Sequence, residues 1–352
     1  MKLRVSVPRR VRKLRSYYGP NEGRAGKLRL DFNENTVGCT PAVLRAVRKL
    51  TAEDLAIYPE YQATANRLAH WFGTRPSEML LTNGADAGIQ QIVNTFVDRG
   101  NAVLLTDPTF LMYRFYAEMA GARIRVVHYD SEMRFSMSQA LRELKKSPRV
   151  FFLANPNNPT GTLVSRADIR KLVQSSRRTL LVIDEAYFDF SGVTVLPWIR
   201  KFPNLAVVRT FSKSAGLAGL RLGCLFAGPE AMALLRRTSD PFPVNVAAMV
   251  AADATVRNHS QIEEYAKEIR RNRELLSSAL RELGVRVFPS AANFVLADMG
   301  PNAPRIIERL GRESILLRDR AVDFDRTGPV RITIGTQQQM KRLIRALTPL
   351  LQ

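Results

Sequence analysis

Four short clusters carry residue types that could do chemistry together. The first is Thr210-Phe211-Ser212-Lys213, directly after the apolar run 205–208, with Arg221 eight residues later. A lysine that enters a crevice from a strand end can form a Schiff base with a carbonyl cofactor, and cationic neighbours lower its pKa. The hydroxyls of Thr210 and Ser212 and the Arg221 guanidinium are donors that suit a phosphate. The second cluster, Asp184-Glu185-Ala186-Tyr187, ends the run 180–183. A carboxylate there can pair with a ring nitrogen and keep it protonated, and Tyr187 can donate to a nearby oxygen. The third is the turn Asn155-Pro156-Asn157-Asn158-Pro159-Thr160-Gly161, after the run 150–153. Its prolines and glycine fix the chain and can present one Asn side chain rigidly. The fourth, Gly84-Ala85-Asp86, opens a helix predicted to run through Val97. Free backbone N–H groups and the helix dipole favour an anion at such a start. Downstream, Phe110 in Pro108-Thr109-Phe110 offers an aromatic face to a planar ring. Taken singly, each cluster also has a plain structural reading: an exposed loop, a cap or metal site, a tight turn, a helix cap.

The elements that must position these clusters can be read from the hydrophobic pattern. Apolar runs at 102–105, 150–153, 180–183, 205–208 and 222–227 alternate with helical stretches. Buried runs of this kind predict a mostly parallel sheet covered on both faces. Ligands bind outside the carboxyl ends of strands in open α/β sheets, so four clusters at such ends predict one shared site. Further helices are expected from Thr40-Pro41 and over 61–72, the latter closed by Gly73. From about Pro243 the pattern changes to a long amphipathic helix over about 261–283. Short strands follow near 285–288, 293–296, 315–317 and 330–334, and then a final helix. The expected fold class is therefore α/β: a large domain with a mostly parallel central sheet flanked by helices, plus a smaller α+β domain. The expected division is an arm, 1–35, joining the small domain, a large domain over 36–240 and a small domain over 241–352.

The totals narrow the function. The chain of 352 residues, 45% hydrophobic, can build about two sizeable cores. It contains no run of about 18 apolar residues, so no membrane span is expected. The basic start of the chain lacks the apolar region of a secretory signal. Cys39 and Cys224 sit in no metal-binding or disulfide pattern, which fits a cytoplasmic protein without a metal. A net charge of +21 raises the possibility of nucleic-acid binding. The basic residues are spread along the chain, however, with one dense run at Arg9-Arg10-Val11-Arg12-Lys13, and no nucleic-acid-binding motif accompanies them. A solvated Arg-rich surface that attracts anionic substrates is the expectation.

In chain order the clusters run helix-start nest, aromatic, Asn turn, Asp-x-x-Tyr and Ser-Lys with a later Arg. That order resembles the aspartate-aminotransferase-like fold, type I, of pyridoxal-phosphate enzymes. The whole chain resembles the histidinol-phosphate aminotransferase family. The likeness runs from Asp31-Phe32-Asn33-Glu34-Asn35 through Tyr58-Pro59-Glu60, the four clusters and Ala218-Gly219-Leu220-Arg221-Leu222-Gly223. It ends in Leu317-Arg318-Asp319-Arg320 and Val330-Arg331-Ile332-Thr333-Ile334-Gly335. It implies pyridoxal 5'-phosphate held as a Schiff base on Lys213, which also shuttles a proton. Asp184 would pair with the pyridine nitrogen, Asn158 and Tyr187 would bond the ring hydroxyl oxygen, and Phe110 would stack on the ring. Ala85, Asp86, Thr210, Ser212 and Arg221 would hold the cofactor phosphate. Tyr58 would reach the phosphate in the neighbouring subunit, giving a homodimer with shared sites. Arg331, with Arg318, would bind the substrate anion, and Tyr17 would close over it. The chain departs from the family pattern at Thr36, Ala87 and the Gln-rich stretch after Thr336. The implied reaction converts L-histidinol phosphate and 2-oxoglutarate to imidazole acetol phosphate and L-glutamate, a step of histidine biosynthesis. A threonine-phosphate decarboxylase, an aromatic aminotransferase and a basic cofactor-binding regulator without turnover are the alternatives.

Overall fold

A computed structural model describes residues 5–14 and 22–352. The strands are β1 (Leu28–Arg29), β2 (Met79–Asn83), β3 (Ala102–Asp107), β4 (Arg123–His128), β5 (Val150–Ala154), β6 (Leu180–Asp184), β7 (Leu205–Thr210) and β8 (Leu222–Ala227). After the long helix come β9 (Arg286–Val287), β10 (Phe294–Asp298), β11 (Ile315–Leu316), β12 (Arg318–Asp319) and β13 (Pro329–Thr333). Among the described residues, seven strands form one sheet in the order β2-β8-β7-β6-β5-β3-β4. The pairs from β7 through to β4 are parallel, whereas β8 runs antiparallel to both β7 and β2. The chain therefore turns back directly between β7 and β8, and Lys213 and Arg221 lie on that turn.

Every residue of β5, β6 and β8 is buried, because both faces of the sheet are covered. Successive side chains point to opposite faces. Phe152 and Val182 thus join Ile89, Ile92, Tyr113 and Ala117 of the helices Gly84–Phe96 and Leu111–Met119. Phe151 and Ile183 face the other way, with Ile169 and Leu172 of the helix Arg166–Ser175. Two strands, β2 and β4, were not anticipated from the sequence. Both are edges of the sheet, where half the pairing surface is exposed and no continuous apolar run is needed.

The smaller core gathers around the antiparallel sheet β12-β13-β10-β9, with the helices Ser260–Glu282 and Gln337–Leu351 packed on it. The helix that follows the expected boundary at 240/241 packs back on the large body. The helix Val246–Arg257 packs on Pro41–Arg48 and Gln62–Trp71, and its Ala248, Met249, Ala251 and Ala252 belong to the large-domain core. Its composition is too apolar for a solvated linker, so the large body keeps it. The helix Ser260–Glu282 then crosses over: Ile262 joins the large core, and Ala266, Ile269 and Leu276 the small one. The arm is also divided. From Leu28 it belongs to the small domain, since β1 pairs in parallel with β11 and Leu30 is fully buried there. Its earlier helix, Arg9–Lys13, instead meets the large domain, where Arg10 Nε donates to the Met119 carbonyl at 2.8 Å. No helix among the described residues is long and apolar enough to cross a membrane.

Candidate active site

Strand register places the anion-binding candidates in a row. Thr82 of β2, Gly223 of β8 and Thr210 of β7 are successive partners across the sheet. Two residues beyond them come the helix start at Gly84, Arg221 and Ser212. Gly84 has φ +74°, and a Cβ there would lie 2.6 Å from Arg221 Nη2. A Cβ on Gly223 would lie 2.6 Å from the Ala85 nitrogen and 2.5 Å from the Gly84 carbonyl carbon. Glycines at both positions let the helix start, the strand and the guanidinium close on one another. Asn83 makes no side-chain cap, so the first-turn N–H groups have no capping side chain. Arg221 Nη2 bonds Asp86 Oδ2 at 2.9 Å. Thr210 Oγ1 accepts from the Ser212 backbone N–H at 3.1 Å and donates to Ser212 Oγ at 3.0 Å.

Lys213 directly follows Ser212, and Asp184 ends β6, the strand beside β7. Lys213 is half-buried, and its Nζ donates to the Phe32 carbonyl at 3.1 Å. Burial, then the Arg331 charge, pushes its pKa down to about 8, against the pull of Glu34 and Asp86. Asp184 is buried at the end of β6, with Oδ1 accepting from the Ala186 N–H at 2.9 Å and Oδ2 from the Tyr113 hydroxyl at 2.5 Å. Burial raises its pKa to about 6, and the Tyr113 hydrogen bond opposes the rise. Glu185, next in sequence, points the other way into a separate buried ion pair with Arg209 at 2.8 Å. Alternation at the strand end separates the two carboxylates into one facing the site and one holding the fold.

The small domain closes the other side. Arg318 and Arg331 are direct partners across β12 and β13. Arg331 is 5% exposed; its Nη1 donates to Asn158 Oδ1 at 2.6 Å, and its Nη2 to the Asp31 carbonyl. The other two Asn of the turn serve the turn itself. Asn155 bonds both backbone groups of Val164, and Asn157 bonds Thr109, Thr160 and the Pro108 carbonyl. Tyr187 is buried, and its hydroxyl accepts from Asn33 Nδ2 at 2.9 Å. Phe110 precedes the helix Leu111–Met119, edge-on to Tyr113 at 5.6 Å. An open cleft lined by Arg24, Glu34, Asn35 and Ser212 reaches the site from solvent. Tyr58 makes its ring contact elsewhere: it is 73% exposed and stacks on Phe242 at 4.1 Å. Tyr17 lies outside the described residues.

Sequence reasoning assigned no role to Asn33, Phe32 or Tyr113. Asn33 lies within Asp31-Phe32-Asn33-Glu34-Asn35, and its positive φ of 57° is a conformation Asn tolerates better than most residues. Nothing in the local pattern marked Tyr113.

The residues fit pyridoxal phosphate in their chemistry. An uncapped helix start beside a guanidinium suits a phosphate, a buried carboxylate suits a protonated ring nitrogen, and a desolvated amine suits an aldehyde carbon.

Comparison with known proteins agrees with this geometry. The profile of the family "Aminotransferase class I and II" matches residues 25–347. The chain is 34% identical to histidinol-phosphate aminotransferase 1 of Carboxydothermus hydrogenoformans, over 92% of this chain and 93% of that protein. The chain belongs to the class I and II aminotransferases. The crystal structure of histidinol-phosphate aminotransferase from Sinorhizobium meliloti, in complex with pyridoxal-5'-phosphate, superposes with a TM-score of 0.88. It is 26% identical, and the match covers 98% of this aminotransferase and 97% of that chain. L-threonine-O-3-phosphate decarboxylase from Porphyromonas gingivalis is also similar, with a TM-score of 0.82 and 26% identity over 92% of this chain and 99% of that one.

Proposed function

We propose that the protein is a histidinol-phosphate aminotransferase, transferring the amino group of L-histidinol phosphate to 2-oxoglutarate. Its cofactor is pyridoxal 5'-phosphate. The observation that carries this reading is the pairing of a desolvated Lys213 with a buried Asp184 in one site, closed by the Arg318–Arg331 pair. When bound, the cofactor supplies an electron sink for the carbanion that forms at the substrate α-carbon. Lys213 holds the cofactor and, once released as a neutral amine, takes the proton from the substrate α-carbon. Asp184 would pair with the ring nitrogen and keep its proton in place. Asn158 and Tyr187 would bond the ring hydroxyl oxygen, and Phe110 would stack on the ring. Ala85, Asp86, Thr210, Ser212 and Arg221 form the phosphate cradle. Arg331 and Arg318 bind the substrate phosphate in one half-reaction and the carboxylate of the oxo acid in the other. Tyr58 serves the neighbouring site of a homodimer, Tyr17 covers the substrate, and the enzyme works in the cytoplasm.

The test is a panel of amino donors, with conversion of the cofactor to its amino form followed by absorbance. L-histidinol phosphate should react with the highest kcat/KM, and 2-oxoglutarate should restore the starting spectrum. Release of carbon dioxide from threonine phosphate, or preference for an aromatic amino acid, would replace this substrate assignment. Borohydride reduction followed by peptide mapping should place the cofactor on Lys213; label on another lysine would overturn the site.

A further inference from the structure

We propose that Tyr113 is a positioning residue of this reaction: its hydroxyl holds the Asp184 carboxylate, ionised and aimed, against the cofactor's ring nitrogen. The inference rests on the reading of Asp184 given above. Tyr113 is fully buried on the helix Leu111–Met119, under the sheet. Its ring lies parallel to Phe152 of β5, at 5.1 Å and 3°, and edge-on to Phe110, at 5.6 Å and 83°. Packing on two aromatic rings fixes where the hydroxyl points, and it points at Asp184 Oδ2, 2.5 Å away. That bond joins residues 71 apart in sequence.

The consequence for Asp184 follows from its surroundings. An ionised carboxylate is an acceptor with two oxygens. Here Oδ1 takes the Ala186 N–H and Oδ2 takes the Tyr113 hydroxyl, which fixes the plane of the group and leaves only its remaining lone pairs for a ring N–H. Burial alone would favour the protonated carboxyl, and a protonated carboxyl cannot hold a cationic ring nitrogen. The charged and titratable groups that face Asp184 are Asp86 of the helix Gly84–Phe96, Lys213 beyond β7, Tyr187 beyond β6, and Tyr113 itself. Asp86 disfavours the carboxylate, whereas the Tyr113 hydroxyl, the Ala186 N–H and the Lys213 charge favour it. The Tyr113 hydroxyl comes first among these, and as a neutral donor it stabilises the carboxylate without placing a competing cation beside it. Burial and the neighbouring Asp184 hold the Tyr113 phenol well above its ordinary range, so its proton stays on Tyr113.

The test uses holoenzyme carrying pyridoxal phosphate labelled with ¹⁵N at the ring nitrogen. Tyr113→Phe removes one oxygen and keeps the stacked ring. It should move the ¹⁵N shift toward the unprotonated nitrogen and raise the acid limb of kcat/KM by about one pH unit. Cofactor binding should weaken roughly tenfold, the size of one charge-assisted hydrogen bond, with little change in KM for the amino donor. A 3-fluorotyrosine installed at position 113 is a stronger donor of nearly the same shape, and it should move the acid limb down instead. The second substitution keeps the test alive if Tyr113→Phe folds poorly. Asp184→Asn is the reference for a site that has lost its carboxylate. A lowered melting temperature with unmoved ¹⁵N shift and acid limb, while Asp184→Asn moves both, would make Tyr113 a packing residue and overturn the proposal. Should Asp184→Asn itself leave the ring nitrogen protonated, the reading of Asp184 fails along with it.

Discussion

At the scale of single residues, the site is a set of charges whose cost of burial is turned to chemistry. Lys213 is the clearest case, because its pKa is brought down to about 8 by burial and by Arg331. The reactive form is the neutral amine, so its fraction falls about tenfold for each pH unit below that value. The rate at which the apoprotein captures pyridoxal phosphate should therefore climb with pH and level off near pH 8, as stopped-flow absorbance would show. An ordinary lysine would still be gaining reactivity at pH 10. Arg331→Gln removes a cation that disfavours the charged amine, so the same midpoint should move upward. As the proposed anion-binding residue, Arg331 should have a second, separable effect on substrate. Loss of a charge-assisted bond costs on the order of 1.5–3 kcal/mol, so steady-state kinetics of Arg331→Gln should give kcat/KM values lower by about ten- to a hundredfold for both the phosphate and the carboxylate substrate. A loss confined to one of the two would mean that the anions do not share the pair. Lys213 and Asp184 are candidates from the sequence because each directly follows an apolar run, whereas Arg331 enters only through the family resemblance. Tyr113 and Asn33 were not legible there, since their partners, Asp184 and Tyr187, reach them only after the chain has folded.

At the scale of elements, the sheet's register does the aligning, and a close contact lies between the start of the helix Gly84–Phe96 and β8. Gly223 has no room for a side chain there, because the nearest obstacles are backbone atoms of Gly84 and Ala85, which cannot rotate away. Gly223→Ala should push the helix start off the strand. Overpacking of this kind costs about 1–3 kcal/mol, visible as a lower melting temperature, and it should also weaken cofactor binding because the displaced N–H groups belong to the proposed phosphate cradle. A loss of stability with unchanged cofactor affinity would separate the helix start from the cradle. Central strands β3, β5, β6, β7 and β8 could be read directly, since burial on both faces forces an unbroken apolar run. The edge β4, with the sequence Arg-Ile-Arg-Val-Val-His, alternates charge with apolar residues over too short a span to stand out. Composition marks the helix Val246–Arg257 as buried without saying against what.

At the scale of the whole molecule, the role proposed for Tyr58 requires a second subunit. Tyr58, Leu55 and Ile57 expose 73%, 66% and 60% of their surface, and Phe242, stacked on Tyr58, exposes 49%. Neighbouring exposed apolar side chains of this kind are characteristic of a surface that another chain covers. Closed two-fold dimers are the commonest oligomers, and in one of them a residue outside its own crevice can complete the partner's. Two inactive variants then test the arrangement. Tyr58→Ala would lose affinity for the cofactor phosphate, and Lys213→Ala would lose the amine. In a mixed dimer, one site combines an intact Lys213 with an intact Tyr58 from the other subunit, while the second site carries both defects. Mixing the two variants under conditions that let subunits exchange should restore activity, approaching half that of the unaltered enzyme per mixed dimer. Each variant mixed with itself should stay inactive. Differential tags would isolate the mixed species, so slow exchange could not be mistaken for a negative result. If isolated mixed dimers show no activity, Tyr58 serves its own subunit or no site at all, because a residue acting in its own subunit leaves both sites of the mixed dimer broken.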